Sequence, residues 1–517
     1  MKNLHKVIKI TVIVLTTALS LTACTQETDS SSVSTTTSQI NHQITATIQE
    51  NSEQNTSTLS AGENLGNTQG EMVPPIDISA PAGERPISPP GNPPGNQSGM
   101  SQPPSGSPPG TLTNDTGTVG NTGNAFYTLS GGSENKSGES ITVTDDDTSA
   151  IKVTNGGNLT LYDMSIKTSG NTSSMDNSSF YGLNAAVLAT SGGQATIKGG
   201  TIETTGTGAN GVFSTGEGTV ITLEGVTIVC SASGAHGVDA TYGGTLNLTD
   251  VDITTAGNGA AAAIATDRGG GTIYVTGGTA KTTGTRSPGI YSTGSITAVG
   301  GTYSAMNSEA AVIEGKNTIT LTDATLYGAK SWGVLIYQSF SGDAEVGVGT
   351  FNMSGGSLTN LEGPAFYITN TEAVINLQNV ELNTQSGILI NAAAGQWGNT
   401  GSNGGIVTLK ADNQILGGDI TCDQISSISI ILKNNSRLSG AINKENSGGI
   451  VSVSLDATSV WNVTANSYIT VFSDEDTTLA NIKDNGNTIY YDASNSANSW
   501  LNGAIYTLPN GGMLIPF

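Results

Sequence analysis

The sequence predicts an all-β protein, a parallel β-solenoid of about twelve coils that follows a disordered linker. Gly accounts for 69 of the 517 residues, roughly twice the usual ~7%. Charged residues make up only 11%, which is too few for the polar faces of a helical bundle. A short motif also recurs at steps of about 22–27 residues, as expected when each coil must bury its apolar face against the next.

The first residues indicate export and lipid anchoring. Lys2, Lys6 and Lys9 precede a short apolar run that ends in small residues before Cys24. Residues 1–23 resemble a bacterial lipoprotein signal peptide, and this resemblance implies that Cys24 is lipidated. The apolar run is shorter than the ~20 residues of a membrane-spanning helix. We therefore expect a protein of the cell envelope, exposed outside the cytoplasm and held to the membrane through Cys24.

Residues 24–125 are expected to form the disordered tether. They are rich first in Ser and Thr and then in Pro and Gly, as in the run from Pro89 to Gly95, and they contain few large apolar side chains. Such a segment cannot bury enough apolar surface to fold on its own. It would hold the following residues away from a membrane, or carry them through a wall layer.

The repeat itself occupies residues 126–450. A Gly-Val-x-x-Thr motif begins at Gly211 and Gly237 and returns with Ile at Gly289. Gly pairs such as that at Gly243 precede short stretches of alternating apolar residues, which predict turns followed by strands. Two or three short strands in each repeat are typical of one coil of a parallel β-solenoid.

Two longer steps in the repeat indicate insertions at about residues 169–181 and 338–350. Over roughly 140–450 the repeats resemble the β-helix of the pectin-lyase-like superfamily in architecture. This resemblance implies a right-handed parallel β-helix and does not extend to a catalytic motif.

Residues 451–517 are expected to form the last coils and a cap. The segment around Trp461 resembles the closing part of pertactin-like passenger domains. Because a solenoid needs closed ends, we expect residues 126–141 to cap the other end. The C-terminal aromatic residues are expected in the cap and core: Trp461, Tyr490, Tyr491, Trp500 and Tyr506.

Cys230 and Cys422 would lie several coils apart in this solenoid. That separation exceeds the reach of a disulfide, so we expect both to be small, buried core residues.

Side-chain alternation assigns the motif an inward and an outward column. With Val212 inward, Phe213 points outward, and Val312 and Glu314 fall on inward positions. A carboxylate does not suit the core, so we expect the rung of Glu314 to be distorted or misassigned. A long apolar strip on a surface marks a covering segment, self-contact between copies or a ligand, and the sequence leaves all three interpretations open. The expected outward column is Leu188, Phe213, Asp239, Ile264, Tyr291, Ile313, Leu335, Tyr367 and Leu389.

Thr residues beside aliphatic and aromatic groups suit a sugar chain, because they combine hydrogen bonding with ring stacking. We therefore expect a non-catalytic, adhesin-like protein that binds polysaccharide or host and matrix surfaces. Trp332 could equally fill a wide coil as a buried residue. The excess of 41 acidic over 18 basic residues argues against nucleic acid as a partner. The candidate ligand-binding residues are Phe213, Arg286, Tyr291, Trp332, Tyr337 and Tyr367.

An enzymatic alternative rests on polar residues of the middle coils. His236 and Asp239 lie in one coil, and Asp267 and Arg268 follow in the next, about 5 Å away. These four groups could perform acid–base chemistry or bind a carboxylate, as in a polysaccharide lyase or glycoside hydrolase that acts on acidic polysaccharide. The alternative without a function is that these four residues form an ordinary network of surface charges. A structural, self-assembling envelope protein is a third possibility.

We expect no metal centre and no cofactor. His236 is the one His of the repeat region, which excludes a His-rich metal site. Ca²⁺ is the only ion that the sequence suggests, because Asp145, Asp146 and Asp147 could bind it weakly. A turn of solvated charges explains these three residues as well.

Overall fold

In the first ten coils of the described chain, each coil adds one strand to each of three long sheets, and neighbouring coils pair in parallel. A computed structural model describes residues 120–517. The expected signal peptide, Cys24 and almost all of the expected tether lie outside these residues. The predicted all-β, parallel β-solenoid is confirmed, and its longest sheet contains 14 strands, more than the expected twelve coils. Right-handedness stays a prediction.

The long sheets are named A, B and C in the order in which the chain visits them. Sheet A has 12 strands: Asn124–Ser130, Thr148–Thr154, Val187–Thr190, Val212–Thr215, Val238–Thr241, Ile264–Thr266, Ile290–Ser292, Ala311–Glu314, Val334–Tyr337, Phe366–Thr369, Ile388–Ala392 and Asp419–Cys422. Sheet B has 14 strands: Ser133–Ser137, Asn158–Tyr162, Gln194–Lys198, Val220–Glu224, Thr245–Thr249, Thr272–Thr276, Ser295–Val299, Thr318–Thr322, Val348–Ser354, Thr371–Gln378, Gly405–Asp412, Ser427–Lys433, Ile450–Leu455 and Val471–Asp474. Sheet C has 10 strands: Ser140–Val143, Ser165–Thr168, Thr201–Thr204, Thr227–Cys230, Asp252–Thr255, Thr279–Thr282, Thr302–Ala305, Thr325–Gly328, Ser357–Asn360 and Glu381–Thr384.

Two sheets of four strands complete the C-terminal part of the described chain. Sheet D contains Ile415–Gly417, Arg437–Ser439, Val460–Asn462 and Ile482–Lys483. Sheet E contains Ser467–Ile469, Thr488–Tyr491, Met513–Pro516 and Tyr506–Thr507. Residues 120–517 also contain the α-helix Met175–Tyr181 and the 3-10 helix Ser496–Leu501. Neither of these helices is long enough to cross a membrane.

Alternation along the strands separates core from surface in sheets B and C. In Thr245–Thr249, Leu246 and Leu248 are buried, whereas the polar residues between them are partly exposed. The register places Ile221, Leu246 and Ile273 above one another in successive coils. Burial of each such side chain contributes about 1.5–3 kcal/mol, and the stacked columns merge into one continuous core.

The corner that follows sheet B and leads to sheet C, or to sheet D in the later coils, accounts for part of the Gly excess. From Gly138 to Asn434, the residue after each sheet B strand has a left-handed backbone, with φ of 65° and 56° at these two positions. Gly, Asn and Asp tolerate this conformation best. At Gly278 a Cβ atom would lie 2.3 Å from the Val251 carbonyl oxygen of the preceding coil. Only Gly fits this close approach between coils.

The two described cysteines are free thiols buried in the core, as the sequence predicts. Burial raises the pKa of both Cys230 and Cys422 to about 11. Both therefore stay protonated and unreactive at neutral pH.

Residues 126–141, expected to form an N-terminal cap, belong to a regular first coil. They contribute to the first strands of sheets A, B and C. Phe126 is 68% exposed there, and the Lys136 amine lies over the Tyr127 ring at 4.4 Å from its centroid. The described chain thus begins with a coil rather than with a separate capping element.

Aromatic side chains fill the C-terminal coils, as predicted. Trp461 and Tyr491 are fully buried, and Trp500 and Tyr506 pack against the core from partly buried positions. Tyr490 instead belongs to a stacked, partly exposed aromatic pair. The antiparallel pairing within sheet E ends the solenoid with a hairpin.

The buried Asp474 makes the stability of these last coils depend on pH. Burial raises its pKa to about 6, although donors such as the Asn481 amide oppose the shift. Because the pKa is higher in the folded than in the unfolded chain, the stabilisation is complete below about pH 4 and is lost as the pH rises through 6. We expect Asp474→Asn to be more stable than the wild type by about 2–3 kcal/mol at pH 8, with little of this gain at pH 4.

Urea unfolding of the full chain between pH 4 and pH 8 measures this difference. The control Glu475→Gln removes the same charge from the exposed neighbouring residue. Glu475 is a minor cause of the raised pKa of Asp474, so this control should keep most of the pH slope of the wild type. A difference between Asp474→Asn and the wild type that does not change with pH would contradict the assignment.

Candidate functional site

The outer face of sheet A is buried over its middle coils, unlike the outer faces of sheets B and C. Every residue is buried in Val212–Thr215, Val238–Thr241, Val334–Tyr337 and Phe366–Thr369, although alternate side chains point away from the core. The outward apolar side chains form two clusters of their own, the smaller one around Phe213. Three segments that leave the coils cover this face.

The observed register corrects the expected outward column. Ile264 and Ile313, expected to point outward, belong to the core. Ala265 and Val312 take the outward positions, each paired with Tyr291. When repeats are aligned by residue type alone, the first residue of each strand stays uncertain. A shift of one residue moves every side chain of the strand to the opposite face of the sheet.

Leu389 and Glu314 are two further corrections. A β-bulge between Ile388 and Ile390 places Leu389 in the core. Glu314 pairs with Tyr337 on the outward column, so its rung is misassigned, as the sequence indicates. The covered face is therefore less apolar than the sequence predicts.

The first cover, residues 169–186, contains the helix Met175–Tyr181 and lies where the sequence places the first insertion. The Ser174 side chain caps the start of the helix by accepting a backbone N–H. On sheet A, the Thr241 hydroxyl donates to the Phe180 carbonyl at 2.9 Å. These contacts fasten the helix over the middle coils of the sheet.

Arg268 joins the first cover to the second cover, residues 338–347. Its guanidinium group lies 3.8 Å from the centroid of the Phe180 ring. The Nε and Nη2 groups both donate to Asp343 Oδ1, at 2.8 and 2.6 Å. The second cover lies within the predicted insertion at 338–350.

Glu314 binds the second cover from below. Its fully buried carboxylate accepts hydrogen bonds from the hydroxyls of Tyr291 at 2.6 Å and Tyr337 at 2.9 Å. The hydroxyls of Ser339 and Ser341, both in the second cover, also donate to it. Burial raises the pKa of Glu314, while these hydroxyls oppose the shift.

A third cover, residues 393–404, was not predicted, because the repeat anchors end at Ile388. Its Trp397 packs on Tyr337 with ring centroids 4.5 Å apart. In the same cluster, Trp332 stacks on Tyr367 with ring centroids 4.6 Å apart. All four rings are buried and give the covered face an aromatic core.

The candidate ligand-binding residues therefore lie mostly under the covers. The covering interpretation of the outward strip is the one that the structure shows, and the buried alternative for Trp332 is the correct one. Binding by any of the six stays a prediction. Arg286 is exposed, whereas five side chains are at most 6% exposed: Phe213, Tyr291, Trp332, Tyr337 and Tyr367.

Three of the four candidate catalytic residues converge on the covered face. Ligand atoms of His236, Asp239 and Asp267 lie within 4.8 Å of one another, and all three side chains are buried. Arg268 points away from them to the two covers. The group is closed to solvent rather than placed in an open groove.

Burial dominates the protonation of this group. It lowers the pKa of His236 to about 4, and the nearby Ala262 carbonyl acts in the opposite direction without completing a hydrogen bond. Burial also raises the pKa of Asp239 well above its usual range, and the Asp267 carboxyl raises it further. Burial and the Asp343 carboxyl raise the pKa of Asp267.

Two of the three consecutive acidic residues of the first coils hold the first cover. Asp146 Oδ1 accepts the Asn171 N–H at 2.7 Å, and Asp147 Oδ1 accepts the Ser173 N–H at 2.7 Å. Asp145 is exposed. Calcium binding by these residues stays a prediction.

An open groove of about 550 Å³ lies on the outer face of sheet B, and the sequence analysis missed it. Outward residues of five successive coils line it. The alternating polar positions of the sheet B strands carry the signal for this groove, whereas the Gly-Val motif marks sheet A. Its central column consists of Thr320, Asn352, Asn376, Lys410 and Ile431.

No family model matches this sequence, and no curated protein and no solved structure shows significant similarity to it. Its function has to be inferred from the geometry of the described residues.

Proposed function

We propose that this protein is a lipid-anchored surface protein whose β-helix binds polysaccharide without cleaving it. In this proposal Cys24 carries the lipid, residues 24–125 form the tether, and the coils are right-handed and pectin-lyase-like, with a pertactin-like closing segment. The observation that supports binding most strongly is the groove on sheet B. The sequence resemblances support the anchor and the location in the cell envelope.

The groove has the shape of a track for an extended polymer. It crosses five coils, which are about 4.8 Å apart, so its two outward columns run for roughly 19 Å along the solenoid. A second column beside the central one includes Gln378, Asp412 and Lys433. The floor therefore repeats polar groups at the spacing of the coils.

Side-chain amides give this floor its hydrogen-bonding capacity. The Asn376 amide donates to Asn352 Oδ1 at 2.7 Å, and the Asn352 amide donates to the Thr320 hydroxyl at 3.1 Å. These bonds hold the amides in fixed orientations before a ligand arrives, which lowers the entropy that binding would cost. Lys410 adds a cation that suits a uronic acid.

The covers over sheet A disfavour the enzymatic alternative. A polymer would have to displace the helix Met175–Tyr181 to reach His236, Asp239 and Asp267, all of which are buried. The sheet B groove requires no such opening. Binding along sheet B therefore fits the accessible surface better than cleavage on sheet A.

An array of neutral and uronic-acid polysaccharides tests the proposal. The full chain with Cys24→Ala, which cannot be acylated, is expected to bind at least one polymer. The bound polymer should show neither new reducing ends nor unsaturated ends after incubation. Absence of binding to every polysaccharide would contradict the proposed function, and new chain ends would favour the enzyme.

We expect Asn376→Ala to weaken binding of the polysaccharide found on the array by about tenfold. The change removes hydrogen bonds worth about 0.5–1.5 kcal/mol each and frees the Asn352 side chain. The matched control Asn247→Ala changes a sheet B residue three coils before Thr320 in the same outward column, outside the groove. Titration of the immobilised polysaccharide measures both variants, and equal losses would place the ligand elsewhere.

A further inference from the structure

The buried group on sheet A combines one imidazole with two carboxylates. His236 and Asp239 belong to one coil, and Asp267 follows the adjacent strand Ile264–Thr266. One potential ligand atom from each lies within 4.8 Å of the others. Ligands on opposite sides of a metal at 2.0–2.2 Å are about 4.4 Å apart at most. Small side-chain rotations therefore bring all three atoms to bonding distance.

These side chains lack the partners that buried polar groups normally have. Among the described residues, neither ring nitrogen of His236 and neither carboxylate oxygen of Asp239 has a hydrogen-bond partner. Asp267 Oδ1 accepts only the Arg268 backbone N–H, at 2.8 Å. Burial of such groups without partners costs several kcal/mol. Unpartnered atoms of two ligand types that point into one space are suited to binding a cation.

Arg268 does not supply that cation. Its guanidinium group binds Asp343 and lies over Phe180, on the side of the covers. Two ionised carboxylates would bring two negative charges to the site, which a divalent ion neutralises. An imidazole ligand favours Zn²⁺ and related transition metals, because Ca²⁺ and Mg²⁺ prefer oxygen ligands alone.

We propose that His236, Asp239 and Asp267 bind one divalent transition-metal ion, of the Zn²⁺ class, beneath the first cover. The ion joins two adjacent coils through the side chains of sheet A. It neutralises the one strongly polar position between Phe213 and Ala265 on the outward column. The site is structural, because the covers leave no path for a polymer to reach it.

Metal analysis of the full chain with Cys24→Ala tests this site. The chain is unfolded in urea with EDTA, refolded with Zn²⁺ and then dialysed, so that loading does not depend on opening of the covers. We expect about one equivalent of retained Zn²⁺ and a melting temperature that falls when EDTA is present during refolding. Refolding with Co²⁺ should give visible d–d absorption typical of mixed nitrogen and oxygen ligands.

Conservative variants distinguish the site from general binding to an acidic surface. Asp239→Asn and Asp267→Asn keep the size of each side chain and are expected to reduce the affinity for Zn²⁺ at least 100-fold. The control Asp250→Asn alters an exposed corner residue, and this variant should still retain about one equivalent of Zn²⁺. Circular dichroism shows whether each variant is folded.

A folded wild type that retains no Zn²⁺ after refolding would overturn the proposal, as would equal retention by Asp239→Asn. Retention of Ca²⁺ in preference to Zn²⁺ would overturn the assignment to a transition metal.

Discussion

Trp332→Ala is expected to lower the free energy of unfolding by about 3–5 kcal/mol. The indole is only 1% exposed and stacks on Tyr367 under the covers. Its removal leaves a cavity that the rigid coils on either side cannot close. Urea unfolding of the full chain at neutral pH measures the loss.

Tyr274→Ala is the matched control for this truncation. Tyr274 lies on the outer face of sheet B and is 52% exposed, so the same kind of change should cost less than about 1 kcal/mol. Similar losses for the two variants would mean that Trp332 is not covered as described.

Glu314→Ala is expected to lower the free energy of unfolding by about 3–5 kcal/mol as well. The variant leaves the hydroxyls of Tyr291, Tyr337 and Ser339 buried without the carboxylate that accepts from them. Donors that lose a charged acceptor cost about 1–3 kcal/mol each. Hydrogen exchange should also become faster in the second cover, which Glu314 fastens to sheet A.

Two variants separate the hydrogen-bonding role of Glu314 from a general effect of charge. Glu314→Gln keeps one acceptor oxygen and is expected to lose less stability than Glu314→Ala. Glu345→Ala removes an exposed carboxylate of the second cover and should change stability by less than about 0.5 kcal/mol. An effect of Glu345→Ala as large as that of Glu314→Ala would contradict the assigned role.

Much of the fold follows from features that are local in the sequence. The Gly-Val-x-x-Thr period, the Gly pairs and the alternation of apolar residues define the strands and corners of each coil. The two long steps between motifs locate the first and second covers. Cys230 and Cys422 are correctly predicted as free, buried core residues, because the number of coils between them already excludes a disulfide.

The side of the sheet to which each side chain points, by contrast, depends on contacts between coils, and a single repeat does not encode these contacts. The motif alone places Ile264 and Ile313 on the wrong side of sheet A, since their Ala and Val neighbours fit the motif equally well when it is shifted by one residue. Glu314 could not be recognised as a buried acceptor, because its donors Tyr337 and Ser339 come from the next coil and its insertion. The repeat likewise predicts that His236, Asp239 and Asp267 lie near one another. Their burial away from solvent depends on the first cover, which the repeat does not describe.

The site on sheet B was missed for a different reason. Its residues are ordinary outward Thr, Asn and Lys side chains, and none of them is distinctive by itself. Only the register of five coils aligns them into columns. This column of polar residues becomes a candidate binding surface once the outer face of sheet A is known to be covered.

Hydroxyl-radical footprinting of the full chain tests the closed face of sheet A most directly. We predict that Trp332, Tyr337 and Tyr367 stay unmodified, while the exposed Tyr274 and Phe126 are oxidised rapidly. Oxidation of Trp332 and Tyr367 at rates close to that of Tyr274 would contradict this prediction, because the outward strip would then be open to solvent and to ligands.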